Sequence, residues 1–254
     1  MRHADLNRPG STALVTGASS GIGAATAKLL VQQGFRLAVT SRGGRELDEI
    51  ATATGAQAHP VDLTRDGAPE QLRDAVTATI GTPDLLICNA GVGWQSSLLE
   101  MPAETIAELV RLNLIATMQV VRAFADGMVE RGSGHIALVS SIAGSMGVPN
   151  EAVYSASKAA VQVFGRSAQL ELAPSGIGVT TVNPGVVDTA FFERRGTPYQ
   201  RRRPHPIPPE RVAAALLAGV RRGKPEVFVP AWLRVPARLQ GAAPGLISAL
   251  RSRI

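Results

Sequence analysis

Tyr154 and Lys158 stand four residues apart in the stretch YSASKAAV. On a helix that spacing puts both side chains on one face, one turn apart, while Ala156, Ala159 and Ala160 leave the other faces smooth. A phenol with an ordinary pKa of about 10 is a poor base near neutral pH. An ammonium group one turn away would stabilise the phenolate and lower that value toward a range useful for general acid–base catalysis. A solvated helix could carry the same two residues as an exposed pair, so the spacing alone leaves both readings open.

A second group of residues with chemical potential is TGASSGIG, residues 16–23. It follows a short apolar run and precedes a helical pattern. Gly17 and Gly21 allow a tight turn without a Cβ, and Gly23 lets the helix pack close to the strand. Free N–H groups at the start of the helix favour a phosphate, and in an open parallel sheet this is where a ligand binds. Any tight strand-to-helix turn could use Gly, Ser and Ala; the position after the first strand favours a dinucleotide.

The elements that must position these groups alternate along the chain. TALVTG, RLAVTSR, AQAHPVDLT, PDLLICNAG, GHIALVSS, GVTTVNPG and EVFVP have the character of strands. Between them lie the helical stretches GIGAATAKLLVQQG, GRELDEIATATG, APEQLRDAVTATIG, the long AETIAELVRLNLIATMQVVRAFADGMVERG, and the helix that carries Tyr154. Continuous apolar strands alternating with helices predict an α/β fold of the Rossmann-like type, a doubly wound parallel sheet of about seven strands with helices on both faces. A single domain is expected over residues 1–254, with a substrate loop at about 190–208 and a basic segment at about 230–254. The Arg- and Pro-rich RRGTPYQRRRPHPIPP reads as a mobile loop without regular structure.

At 254 residues, 45% hydrophobic and 18% charged, the composition is that of a folded globular protein. No stretch resembles a signal peptide or reaches the ~18 uninterrupted apolar residues of a membrane span, so a cytoplasmic location is expected. The one cysteine, Cys88, excludes an internal disulfide and suits a buried position in DLLICNAG. His3, His59, His135 and His205 lack the spacing of metal ligands, and no metal is expected. The net charge of +6 is uneven: residues 1–193 carry 13 Lys/Arg against 18 Asp/Glu, and residues 194–254 carry 13 against 2.

With TGASSGIG, then DL at 62–63, NAG at 89–91, Asn113, SS at 140–141, YSASK at 154–158 and NPG at 183–185 in one order, the chain resembles the short-chain dehydrogenase/reductase family. The resemblance implies a nicotinamide cofactor held by the turn residues Gly17, Ser19, Ser20, Gly21 and Ile22. It places Asp62 and Leu63 by the adenine, the backbone of Asn89, Ala90 and Gly91 along the adenosine ribose side, and Pro184, Gly185, Val187 and Thr189 around the nicotinamide. It also implies a catalytic set of Asn113, Ser141, Tyr154 and Lys158. In that set Tyr154 is acid and base and Ser141, in preference to Ser140, holds the substrate oxygen. Lys158 tunes the tyrosine and binds the nicotinamide ribose, while Asn113 organises a water-linked proton path. Where an NAD enzyme would carry an acid at the end of the second strand, this chain has Ser41 followed by Arg42. A guanidinium can clamp a 2′-phosphate with paired charge-assisted bonds, which predicts NADP(H) over NAD(H).

The implied activity is hydride transfer between a ketone or aldehyde and an alcohol. Trp94, Met146, Val148, Phe191 and Phe192 could form an apolar substrate wall. The arginines 194, 195 and 201–203 suggest an alternative, a reductase of 3-oxoacyl thioesters drawn by an acidic carrier. An alternative of another class is a regulatory protein that binds NADP(H) without turnover. The resemblance further implies a homodimer or homotetramer. Leu246, Ile247, Leu250 and Ile254 share a helical face that could touch a membrane, although cover for its own domain or a partner subunit is preferred. Nucleic acid is not expected, because aromatics are not interleaved with the basic residues.

Overall fold

In a computed structural model the chain is described at residues 6, 8, 10–199 and 204–242. The expected strands form one sheet. They are β1 (Thr12–Thr16), β2 (Arg36–Ser41), β3 (Gln57–Pro60), β4 (Leu85–Cys88), β5 (Gly134–Val139), β6 (Ile177–Pro184) and β7 (Glu226–Val229). All pairings are parallel, in the order β3-β2-β1-β4-β5-β6-β7. Every residue of β1, β4, β5 and β6 is buried, as strands covered on both faces must be.

The helices are α1 (Gly21–Gln32), α2 (Arg45–Thr54), α3 (Ala68–Ile80), α4 (Ala103–Val110), α5 (Thr117–Arg131), α6 (Ile142–Met146), α7 (Ala152–Leu172), α8 (Phe191–Arg194), α9 (Pro209–Arg221) and α10 (Arg234–Ala242). One core packs Leu30 of α1, Leu47 of α2 and Leu216 of α9 against one face of the sheet. A second packs Leu72 of α3, Phe124 of α5 and Val161 of α7 against the other. The chain reverses direction across the sheet between β1 and β4, which opens a crevice at the carboxyl ends of the strands.

Several details depart from the sequence expectation. The long helix is not uniform: α4 and α5 are joined by a π-helical turn at Arg111–Ala116, and Asn113 lies in it. Such single-turn widenings occur often at functional sites. The third strand is only four residues long, and α6, α9 and α10 are not among the expected helices. The Arg- and Pro-rich loop is partly tied down, since Val187 bridges Ile207 and Arg195 is buried. Arg201, Arg202 and Arg203, and the tail with Leu246, Ile247, Leu250 and Ile254, lie outside the described residues.

Candidate active site

The crevice begins at the glycine turn between β1 and α1. Gly17 adopts φ +65°, and a Cβ there would stand 2.7 Å from the Cα of Ala90, so the turn accepts only glycine. Asn89 fastens this turn to the end of β4. Its Nδ2 donates to the carbonyls of Thr16 (3.1 Å) and Gly17 (3.0 Å). Thr16 Oγ1 in return accepts from the backbone N–H groups of Asn89 (3.0 Å) and Ala90 (3.1 Å). The Asn89 side chain and the backbone N–H groups of Asn89 and Ala90 therefore hold the turn together with the end of β4.

Ser20 stands at the N-cap of α1 without a side-chain capping bond, and the first turn of the helix, which includes Gly21 and Ile22, has no acidic residue. Orphan amides and the positive end of the helix dipole thus remain available, a donor set that fits a phosphate. Thr189 reaches the same place, its methyl 3.0 Å from where a Cβ on Gly21 would be. Upstream of it Pro184 ends β6, Gly185 donates its N–H to Val229 O at 2.8 Å, and Val187 is buried.

At the end of β2, Ser41 Oγ accepts from the Gly43 N–H at 3.3 Å. Arg42 beside it is exposed and forms no ion pair among the described residues. Asp62 Oδ1 accepts from the Thr64 N–H (3.0 Å) and hydroxyl (2.6 Å), bonds that hold its carboxyl below the usual range. That side chain caps its own turn, while Leu63 is buried.

Beyond β4 and β5 the structure brings Asn113, Ser141, Tyr154 and Lys158 together. Lys158 is only 5% exposed, and its Nζ donates to the carbonyl of Val139, the last residue of β5, at 3.1 Å. It lies 5.9 Å from the centre of the Tyr154 ring. Burial draws the amine down to about 8. Ser141 caps α6 by accepting from the Ala143 N–H at 3.1 Å and also bonds the Tyr154 hydroxyl. Ser140 faces away, donating to Lys158 O at 2.8 Å. Asn113 is fully buried; Oδ1 accepts from Val92 N (2.8 Å), and Nδ2 donates to Val92 O (2.9 Å) and Ser157 Oγ (3.2 Å). A Cβ on Gly91 would meet both Asn113 Oδ1, at 3.0 Å, and Lys158 Nζ, at 3.3 Å.

The tyrosine corrects one expectation. Its phenol is not lowered but pushed up to about 12, first by burial, with Glu151 adding to the rise and the Ser141 hydrogen bond and Arg195 opposing it. The lysine is turned to the Val139 carbonyl, and desolvation of the phenolate dominates.

Phe191 covers this group. Its ring packs on Tyr154 at 5.6 Å between centroids and fills the space that a side chain at position 93 would need, hence Gly93. Trp94, Val148 and Phe191 share a small apolar cluster with Tyr154. Met146 and Phe192 are not part of it; Phe192 packs instead on Phe191, Tyr199 and the Arg195 guanidinium.

Three features escaped the sequence reading. Gln162, buried one turn beyond Lys158, donates from Nε2 to Ser141 O and to Asn183 Oδ1, both at 2.9 Å, and accepts from Ser145 Oγ at 3.1 Å. The Tyr154–Lys158–Gln162 spacing of four was the available signal. A buried ion pair joins Arg195 to Glu151, just ahead of α7. A cavity of about 220 Å³ is lined by Ile142, Val186, His205, Trp232 and Leu233, so it draws on the last described part of the chain. Among the described residues no acidic, His or Cys group is arranged to hold a metal, and no helix is long and apolar enough to cross a membrane.

A family model described as short chain dehydrogenase matches residues 11–200. An uncharacterized oxidoreductase of Myxococcus xanthus is 34% identical over 239 residues, covering 92% of this chain and 92% of that protein. A 3-oxoacyl-acyl-carrier-protein reductase of Vibrio cholerae is 33% identical over 186 residues, 72% of this chain and 76% of that one. Among solved structures, a short-chain dehydrogenase from Sphingobium yanoikuyae in complex with NADPH matches with a TM-score of 0.81 at 30% identity, over 94% of this chain and 95% of that one.

The buried lysine gives a pH signature. An unfolded lysine keeps its proton to about pH 10.4, whereas native Lys158 releases it near 8. Between these values the unfolded chain binds more protons, so native stability rises with pH. In urea unfolding from pH 8 to 10, the wild type should gain stability relative to Lys158→Met; parallel curves for the two would show that Lys158 titrates as an ordinary lysine.

Proposed function

Because this chain belongs to the short-chain dehydrogenase family, we propose that it is an NADP(H)-dependent oxidoreductase interconverting a hydrophobic ketone or aldehyde and its alcohol. The observation that carries this is the enclosed group of Ser141, Tyr154 and Lys158 under the ring of Phe191. The β1–α1 turn would hold the diphosphate and Arg42 the 2′-phosphate. A bound nicotinamide supplies or accepts the hydride.

The chain's own residues manage the proton. Ser141 orients the substrate oxygen, and Tyr154 gives its proton to the oxygen as negative charge develops there. Raised to about 12, the phenol is protonated at neutral pH and can serve as the proton donor. In the reverse direction it would first lose that proton to solvent, an ionisation that burial opposes and the Ser141 hydrogen bond eases. Asn113 positions by holding the backbone of Val92 against α7. Phe191 and Trp94 keep water out and favour an apolar substrate.

Tyr154→Phe should lower turnover at least ~100-fold, the lower end of general acid–base effects, while NADPH binding followed by fluorescence persists. Unchanged turnover would sink the mechanism. The same assay, run with hydrophobic ketones beside a 3-oxoacyl thioester, decides a second reading that the Vibrio cholerae relative favours: faster turnover of the thioester would make that the substrate class. Parallel titrations with NADPH and NADH should show preference for NADPH, and Arg42→Ala should remove it, a change of about tenfold for one charge-assisted clamp. Equal binding by the wild type would refute the assignment of Arg42.

We also infer self-association. Val163 and Leu170 lie seven residues apart on α7 and are 55% and 77% exposed, which supports a subunit contact along that helix. Light scattering should give the mass of two or four chains, reduced by Leu170→Glu; a monomer in the wild type would contradict it.

A further inference from the structure

Arg194 ends the short helix α8 in the loop that covers the substrate side, yet its Nη1 donates to Ser20 Oγ at 2.9 Å, 174 residues away in the chain. We propose that Arg194 is a ligand of the cofactor diphosphate, so that α8 serves the cofactor as well as covering Tyr154. This rests on the assignment of a nicotinamide dinucleotide to the β1–α1 turn.

Two independent observations support it. Ser20 stands at the N-cap of α1, where the amides are uncapped by any side chain and the first turn carries no acid. A cation beside the positive end of a helix dipole is disfavoured unless an anion joins it. Arg194 nevertheless is exposed and has no ion pair among the described residues. A guanidinium held at the N-cap of α1 by its bond to Ser20, beside amides that no side chain caps, completes an anion site that neither element makes alone.

The neighbouring residues explain how the guanidinium is held there. Arg195 is buried and paired with Glu151, and it donates from Nε to Thr197 O at 3.2 Å. Phe191 is packed on Tyr154. Both ends of α8 are therefore fixed to the catalytic helix, while Thr189, just ahead of it, lies against the start of α1. The expectation that Arg194 and Arg195 serve an acidic substrate handle changes accordingly: Arg195 is consumed inside the protein, and Arg194 points toward the cofactor turn.

The test is a fluorescence titration of wild type, Arg194→Ala and Arg194→Lys with NADPH and with NADH. The diphosphate is common to both cofactors, so Arg194→Ala should weaken both by the same factor, roughly tenfold or more. Arg194→Lys, which keeps the charge but loses the fork, should fall between. A loss confined to NADPH would assign Arg194 to the 2′-phosphate and overturn the proposal. Unchanged affinity for both would also overturn it, leaving the Ser20 bond as a tie within the fold. Failure of the wild type to bind either cofactor would instead refute the dinucleotide site itself, and this inference with it.

Discussion

Burying a lysine amine beside a phenol is the constraint from which most of this molecule follows. An ammonium ion taken out of water must find its hydrogen bonds in the protein or lose its proton. Lys158 finds one at the carbonyl of Val139, which is available because β5 ends there and the parallel ladder no longer uses it. The carbonyl of Lys158 in turn accepts from Ser140, and Gln162 donates to the carbonyl of Ser141. Helix α7 is thus stitched to the end of β5 by three polar bonds, two at Lys158 and one a turn later at Gln162. A shift of α7 along its axis would break all three, so the register between Tyr154 and Ser141 is set by backbone as much as by side chains.

The same strand ends carry the cofactor turn. In an all-parallel sheet every strand finishes at one edge, and the reversal of winding between β1 and β4 leaves that edge open between two layers of helices. Asn89 spans the gap from β4 to the glycine turn with two side-chain bonds. On the other side of β4, Asn113 does a similar thing from the π-helical turn, gripping both polar groups of Val92. Residues 89–92 are consequently fixed from both flanks. An asparagine suits both places: at 89 its amide donates to two carbonyls, and at 113 one side chain both donates and accepts.

The sheet and the main helices were legible because buried parallel strands leave continuous apolar runs and amphipathic helices leave a period near 3.6. The residues of the site were legible through spacing: Tyr154 with Lys158, and the glycines after β1. What stayed hidden depended on distance in space. Nothing local marks Glu151 and Arg195 as partners, nor Ser20 and Arg194, because each pair joins segments far apart in the chain. The direction of the tyrosine's pKa was misjudged for the same reason. Spacing shows that an ammonium is near, but not that the pair is dehydrated or that the amine turns to a carbonyl. The π-helical turn was invisible because one extra residue in a helix barely disturbs an apolar periodicity.

Dehydration also explains the architecture of the covering loop. Phe191 excludes water from Tyr154, and a loop that does so must be held down against the entropy of ordering it. The buried Arg195–Glu151 pair does this, although it is a costly means: two charges leave water, and the loss of either would leave the other uncompensated, an effect of about 3–5 kcal/mol. An apolar anchor would hold the loop as well at less expense. What the ion pair adds is orientation. Arg195 also lies over the Phe192 ring, 4.6 Å from its centre, so one guanidinium fixes the loop's aromatic residues and the start of the catalytic helix together. A loop positioned in this way keeps Phe191 on the Tyr154 ring while Arg194 stays bonded to Ser20 at the start of α1.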